Sequence, residues 1–287
     1  DCAKKSERVV EQAKMLEIWN VLKEQVSTQF FRKVSIIKGN IIEDVNRIFE
    51  VFAVDNLDDF FGLKAQEMEL PYYYRKSEKV TTNPADILSW KYYCYYLSRN
   101  DKSVLCMYDK DSADALTKEL NKVFKENTDT AKRTGEVLNR YGIRFFIVKK
   151  VGQVPVDGMS FWIGDNPTIV VTERIASIDN FAFTTLHEVG HVYKHLIKDG
   201  KAMINLFDEK KDSEESEADN FALNAVVPNA DWKKFLSKTR DVVPYKIAPY
   251  IMSEAEKHEV NPQILFGRYK HDNGIYKIKN YFETRIL

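Results

Sequence analysis

The sequence predicts an α+β chain: a mainly helical N-terminal region, then a compact domain with a small mixed sheet and a functional helix. Three observations carry that reading. Apolar residues recur at three-to-four spacing through the first part; the period changes to short β-branched and aromatic runs after Gly142; helical spacing then returns to the end. At 287 residues, with 44% hydrophobic and 13% aromatic side chains, the chain is long enough to bury a core in two domains. We divide it at 1–110 and 111–287.

Lysine plus arginine and aspartate plus glutamate each number 43, so the formal net charge is zero. A dedicated nucleic-acid binder carries a basic excess, and direct nucleic-acid binding is therefore not expected. Cys2, Cys94 and Cys106 are too few and too scattered for a disulfide framework or a four-cysteine metal knot, which fits a reducing cytoplasm. The N-terminus has no apolar segment of the secretory kind, and no run approaches the ~18 apolar residues of a membrane span.

Taken in order, Val9, Val10, Ala13, Leu16, Ile18 and Leu22 predict a first packed helix, and Ile41, Val45, Ile48, Phe49 and Phe52 another. The run Pro71–Lys76 breaks the pattern, with tyrosines that suit packing or a groove. Asn83-Pro84-Ala85-Asp86 opens a helix through Trp90, Tyr93 and Leu97. One long amphipathic helix is expected from about Ser112 to Tyr141, closed by Gly142. Strands follow at 143–148, 159–163 and 168–171, divided by turn signals at Val156-Asp157-Gly158 and Gly164-Asp165-Asn166-Pro167.

The chemistry lies in the next helix, expected from an N-cap at Asp179 to a terminator at Gly200. At ~100° per residue His187, Glu188, His191 and His195 share one sector, with Leu186, Val189, Tyr193 and Leu196 opposite. Two imidazoles four residues apart can bind one Zn²⁺, and the glutamate after the first can serve a metal-activated water as base. Lys194 and Ile197 stand where the metzincin pattern needs glycine and histidine, which excludes that subclass. His195 rises ~12 Å above His187 on a straight helix and is not expected to share the ion.

The acidic run before the apolar helix that ends at Pro228 offers the third ligand. Glu215 and Asp219 are four apart, so one turn supplies a metal carboxylate and the next an orienting partner for a ligating histidine. At the same offset Glu214 meets Ala218 and Glu217 meets Phe221. Glu215 is therefore the expected ligand and Asp219 the partner of His187. Arg268, His271 and Tyr193 are candidate oxyanion donors, with packing or surface roles as the competing reading.

Residues 141–232, with Asp157-Gly158-Met159-Ser160-Phe161-Trp162, then Phe183 through His191, then Glu217 through Ala222 and Pro228, resemble the ImmA/IrrE family of zinc metallopeptidases. The resemblance implies a zincin-like fold, a peptide-bond hydrolase with Zn²⁺ on His187, His191 and Glu215, and Glu188 as catalytic base. It also implies a protein substrate such as a repressor, antitoxin or other regulator, in toxin–antitoxin or transcription-regulatory settings. Phe49 to Gly62 is similar to the connection that follows a helix-turn-helix domain in many members, but no such domain is visible before it. A catalytically silent regulatory scaffold is the alternative, and the oligomeric state, monomer or homodimer, stays open.

Overall fold

The computed structural model describes residues 2–69, 83–104, 106–150, 152, 156–173, 177–196, 211–282 and 284–286. Pro71–Lys76 and Gly200, to which the sequence assigned a pattern break and a helix end, lie outside them. The chain divides into two compact units, Asp1–Asn100 with Lys149–Val156, and Asp101–Val148 with Asp157–Leu287.

Among the described residues the first unit is built of helices, α1 (Cys2–Gln25), α2 (Thr28–Lys33), α3 (Ile41–Phe52), α4 (Leu57–Glu69) and α5 (Pro84–Asn100). Asn40 caps α3 by accepting from the Glu43 amide, which satisfies one of the donors every helix start leaves free. Leu22, Phe31, Ile48, Phe52 and Phe60 form the core, where Phe52 meets Phe60 edge-on and stacks on Tyr92. Lys91 and Glu67 form a buried ion pair at 2.6 Å, and the Tyr92 hydroxyl donates to the other Glu67 oxygen at 2.9 Å. One departure from the expected pattern is α1, whose Val9, Val10 and Leu16 are exposed. Among the described side chains of α1 the first buried one is Leu22, so Val9, Val10 and Leu16 of the predicted apolar stripe cover no core.

In the second unit the single helix expected from Ser112 to Tyr141 is two, α6 (Ala113–Glu126) and α7 (Thr130–Arg140). Asn127 and Asp129 both adopt left-handed backbone, with φ of 46°. Asparagine and aspartate tolerate that conformation better than other side-chain-bearing residues, so Asn127-Thr128-Asp129 is a helix end followed by a restart. The Asn127 amide donates to the Val123 carbonyl and closes α6.

Three strands follow as expected: β1 (Arg144–Val148), β2 (Gly158–Ile163) and β3 (Asn166–Thr172), in the order β1-β3-β2. The sheet is mixed, because β1 runs parallel to β3 while β2 runs antiparallel to it. Every residue of β3 is buried, as a central strand covered on both faces requires. On β2, Met159 and Phe161 point into the core while Ser160 and Trp162 are half-buried, and its outer edge pairs with no strand among the described residues.

Then come α8 (Ile178–Lys194), α9 (Lys211–Val226), α10 (Asn229–Lys238), a 3₁₀ turn at Pro244–Lys246, α11 (Ala248–His258) and α12 (Pro262–Asp272). The expected cap at Asp179 is displaced. Ser177 is the N-cap of α8, and Asp179 instead accepts from the Gln263 side chain of α12 at 3.2 Å. A Cβ at Gly267 would stand 2.7 Å from the same Asp179 oxygen, so the glycine gives the carboxylate its room. No helix among the described residues is long and apolar enough to cross a membrane.

Candidate metal centre

Packing of α8 on α9 builds the site. Leu186, Val189 and Val192 of α8 are buried with Ala222 and Val226 of α9 in one core, which leaves the histidine face of α8 turned to the acidic start of α9. The crossing is close at Gly190. A Cβ there would lie 3.1 Å from Ala218 Cα and 3.2 Å from Phe221 Cβ. The glycine inside the motif and the alanine opposite therefore let the two backbones approach, which brings Glu215 within reach of the histidines.

His187 Nε2 and His191 Nε2 face each other at 3.0 Å. Glu215 closes the triangle, Oε2 at 3.3 Å from His187 Nε2 and Oε1 at 3.5 Å from His191 Nε2. These three residues are the one group with metal-ligand spacing among the described residues. Donors bound tetrahedrally to zinc at about 2.0–2.1 Å stand about 3.3–3.4 Å from one another, and the separation of the two imidazole nitrogens and the approach of the two Glu215 oxygens to them are of that order. The donor set, two imidazoles and one carboxylate, also suits zinc and leaves a fourth position for water.

The outer ring nitrogens are engaged as well. His187 Nδ1 lies 2.8 Å from Asp219 Oδ1. His191 Nδ1 lies 2.9 Å from His195 Nδ1, and His195 Nε2 lies 3.3 Å from Glu217 Oε2. His195 thus sits behind His191, away from the Nε2 triangle. Burial opposes charging of the His187 ring, but hydrogen bonds to Asp219 and Glu215 and the charges of Glu188 and Glu215 outweigh it and push its pKa up to about 10. Hydrogen bonds from His187 and His191 hold the Glu215 carboxyl well below the usual carboxylate range.

Glu188, 6% exposed, is the most enclosed acid of the site. Burial raises its pKa, while the nearby His187 and His191 and a hydrogen bond from Ser160 of β2 act in the opposite direction. Gly158, two residues before Ser160, packs against the same side chain: a Cβ on it would stand 2.6 Å from Glu188 Oε1. In the sequence Gly158 and Ser160 stand out only as part of a motif, because nothing in a linear sequence links a strand residue to a helix residue about thirty positions on.

The candidate oxyanion donors are occupied elsewhere. Arg268 Nη1 donates to the Leu223 and Val227 carbonyls at the end of α9, its Nη2 donates to Asn229, and its guanidinium lies over Trp232. The Tyr193 hydroxyl pairs with Ser112 at 2.8 Å. His271 is on the surface beside Asp272.

A search of curated proteins gives no match to the chain. A family model described as the IrrE N-terminal-like domain, and named as a peptidase family, matches residues 138–255. That stretch runs from the end of α7 through the sheet, α8 and α9 into α11, and so contains all three residues of the donor triangle, Glu188 and the strand that holds it. Over residues 138–255 the chain is therefore similar to that peptidase family, in line with the resemblance read from the sequence.

Proposed function

We propose that this chain is a zinc-dependent metalloendopeptidase that cleaves a regulatory protein, with His187, His191 and Glu215 as the metal ligands, Asp219 as the hydrogen-bond partner that orients His187, and Glu188 as general base. The observation that carries it is the convergence of two imidazole nitrogens and a carboxylate within 4.8 Å of one another, beside a buried glutamate held by β2.

When bound, zinc would lower the pKa of its water and polarise the scissile carbonyl. The chain's own residues do the rest. Glu188 accepts a proton from the attacking water and delivers it to the leaving amine, a transfer helped by burial, which raises its pKa above the ordinary carboxylate value. Ser160 holds that carboxylate by a hydrogen bond, and Gly158 leaves room for it. The edge of β2 that pairs with no strand among the described residues would offer main-chain hydrogen bonds to an extended substrate and lay a peptide beside Glu188. A cytoplasmic protein substrate, a repressor or antitoxin, fits this mode because an exposed unfolded segment is all the strand needs.

The test uses zinc-loaded wild type and Glu188→Gln on a library of peptides from a digested proteome, with new N-termini mapped by sequencing. Wild type should generate new termini, and Glu188→Gln should generate them about 10²–10⁴-fold more slowly while keeping zinc. Equal rates would remove Glu188 as base. A wild type that binds zinc and cuts nothing would replace the enzyme by a regulatory scaffold.

A further inference from the structure

We infer that His195 is a positioning residue for the metal centre, orienting His191 through a ring-to-ring hydrogen bond that Glu217 completes from the opposite helix. The inference rests on the proposed metal site. It concerns two residues that the donor triangle does not include.

The hydrogen accounting leads to it. A histidine that ligates through Nε2 carries its hydrogen on Nδ1 and needs an acceptor there. For His187 the acceptor is the Asp219 carboxylate, at 2.8 Å. For His191 no carboxylate among the described residues takes that place; the atom at hydrogen-bond distance is His195 Nδ1, at 2.9 Å. Accepting at Nδ1 places the His195 hydrogen on Nε2, and that nitrogen faces Glu217 Oε2 at 3.3 Å. One tautomer of each ring therefore satisfies every nitrogen in the series from the ion to Glu217, with no donor facing a donor.

The surroundings agree. The His195 side chain is only 6% exposed, although it stands at the end of α8, where a surface histidine would be open to water. It lies one turn beyond His191, the offset that places neighbouring side chains on one helix face. The two ring centroids are 5.1 Å apart and the rings are tilted by 57°, so the contact is through an edge nitrogen and not a stacked face. Glu217 is mostly exposed, so its share of the effect is the smaller one. The two ligating imidazoles are thus held differently, one by a carboxylate directly and the other through an intervening ring.

The test measures zinc affinity by competition with a chromophoric chelator, using the full chain. His195→Phe keeps the ring volume and removes the acceptor; affinity should fall by about 10–100-fold, the usual effect of losing such a partner. His195→Asn restores an oxygen near the Nδ1 position and should recover most of that loss. Melting of the metal-free proteins should match wild type. Undiminished affinity in His195→Phe overturns the inference, and so does an Asn variant as weak as the Phe variant. Glu217→Ala, at an exposed carboxylate, provides the second reading: a few-fold weaker affinity and a shifted ligand-field band in the cobalt-substituted protein. An unchanged band and affinity there remove Glu217 from the relay. A wild type that takes up no zinc would instead sink the metal-site reading itself, a result distinct from all of these.

Discussion

Gly158 and Glu188 are in such close apposition that a Cβ on the glycine would stand 2.6 Å from the glutamate's Oε1 and 3.0 Å from its Cγ. The strand therefore fixes where the carboxylate can be. In Gly158→Ala the glutamate must swing away, since the side chain yields more easily than the sheet. Zinc content should remain at wild-type level while peptide cleavage falls toward that of Glu188→Gln. Elemental analysis beside a cleavage assay checks this, and full activity in the alanine variant would show that the carboxylate has latitude.

Removing any corner of the donor triangle should remove the metal. His187→Ala, His191→Ala and Glu215→Ala should each lose most of about one zinc per chain, because two remaining donors hold an ion far less well than three. Asp219→Ala should keep the stoichiometry at high zinc and weaken affinity by about 10–100-fold. Zinc retained in full by Glu215→Ala would move the third ligand to another residue.

Gly190 makes a third case, in which no ligand is touched. Its would-be Cβ meets Ala218 Cα at 3.1 Å, a backbone atom that cannot turn aside. Gly190→Val should push α9 off α8, at a cost of about 1–3 kcal/mol for overpacking. Zinc affinity should fall with it, because Glu215 moves with α9. Gly190→Ala, which asks for a few tenths of an ångström, should do much less. Calorimetry and chelator competition on the same samples separate the two effects; a valine variant with unaltered zinc affinity would mean that α9 adapts.

The pH response has a definite sign. In the metal-free chain His187 holds its proton up to a pKa of about 10, above the ordinary value of about 6.5. That proton stabilises the folded metal-free protein fully below about pH 6.5, and the contribution is lost as pH rises through about 10. Zinc must displace the same proton, so apparent affinity should rise by about tenfold per pH unit between about 7 and 9. Affinity titrations at three pH values check the slope, and a flat profile would show that His187 enters the site unprotonated.

The juxtaposition was legible where it is local. His187, Glu188 and His191 are set by the pitch of one helix, and Glu215 with Asp219 by the pitch of another, so spacing alone put them on the faces that the structure turns toward each other. The three strands were legible because β-branched runs ended in turn residues. What escaped depends on contacts between distant elements. His195 looked like a poor ligand from its rise along α8, and its role as a neighbour of His191 needs Glu217 from a different helix. Ser160 and Gly158 matter only because β2 lies against α8. The break at Asn127 to Asp129 was hidden because the apolar period continues across it, while two left-handed residues redirect the chain. On α1 the reverse happened: Val9, Val10 and Leu16 keep a helical period with no core beneath them.

The assignment of Lys149–Val156 to the helical first unit, although β1 precedes it and β2 follows it, bears on the order in which the molecule is made. Domains usually fold as they emerge, N-terminal first, at about 5–20 residues per second. Here the first unit waits for a strand of chain that the ribosome adds only after Asp101–Val148. The Lys33 ammonium, which donates to the Lys150 carbonyl at 3.0 Å, finds its acceptor seconds after its own helix is complete. The first unit therefore reaches its final state only after β1 has been made, and a chain cut at Asn100 would leave the C-terminal piece holding Lys149–Val156, a segment of the first unit.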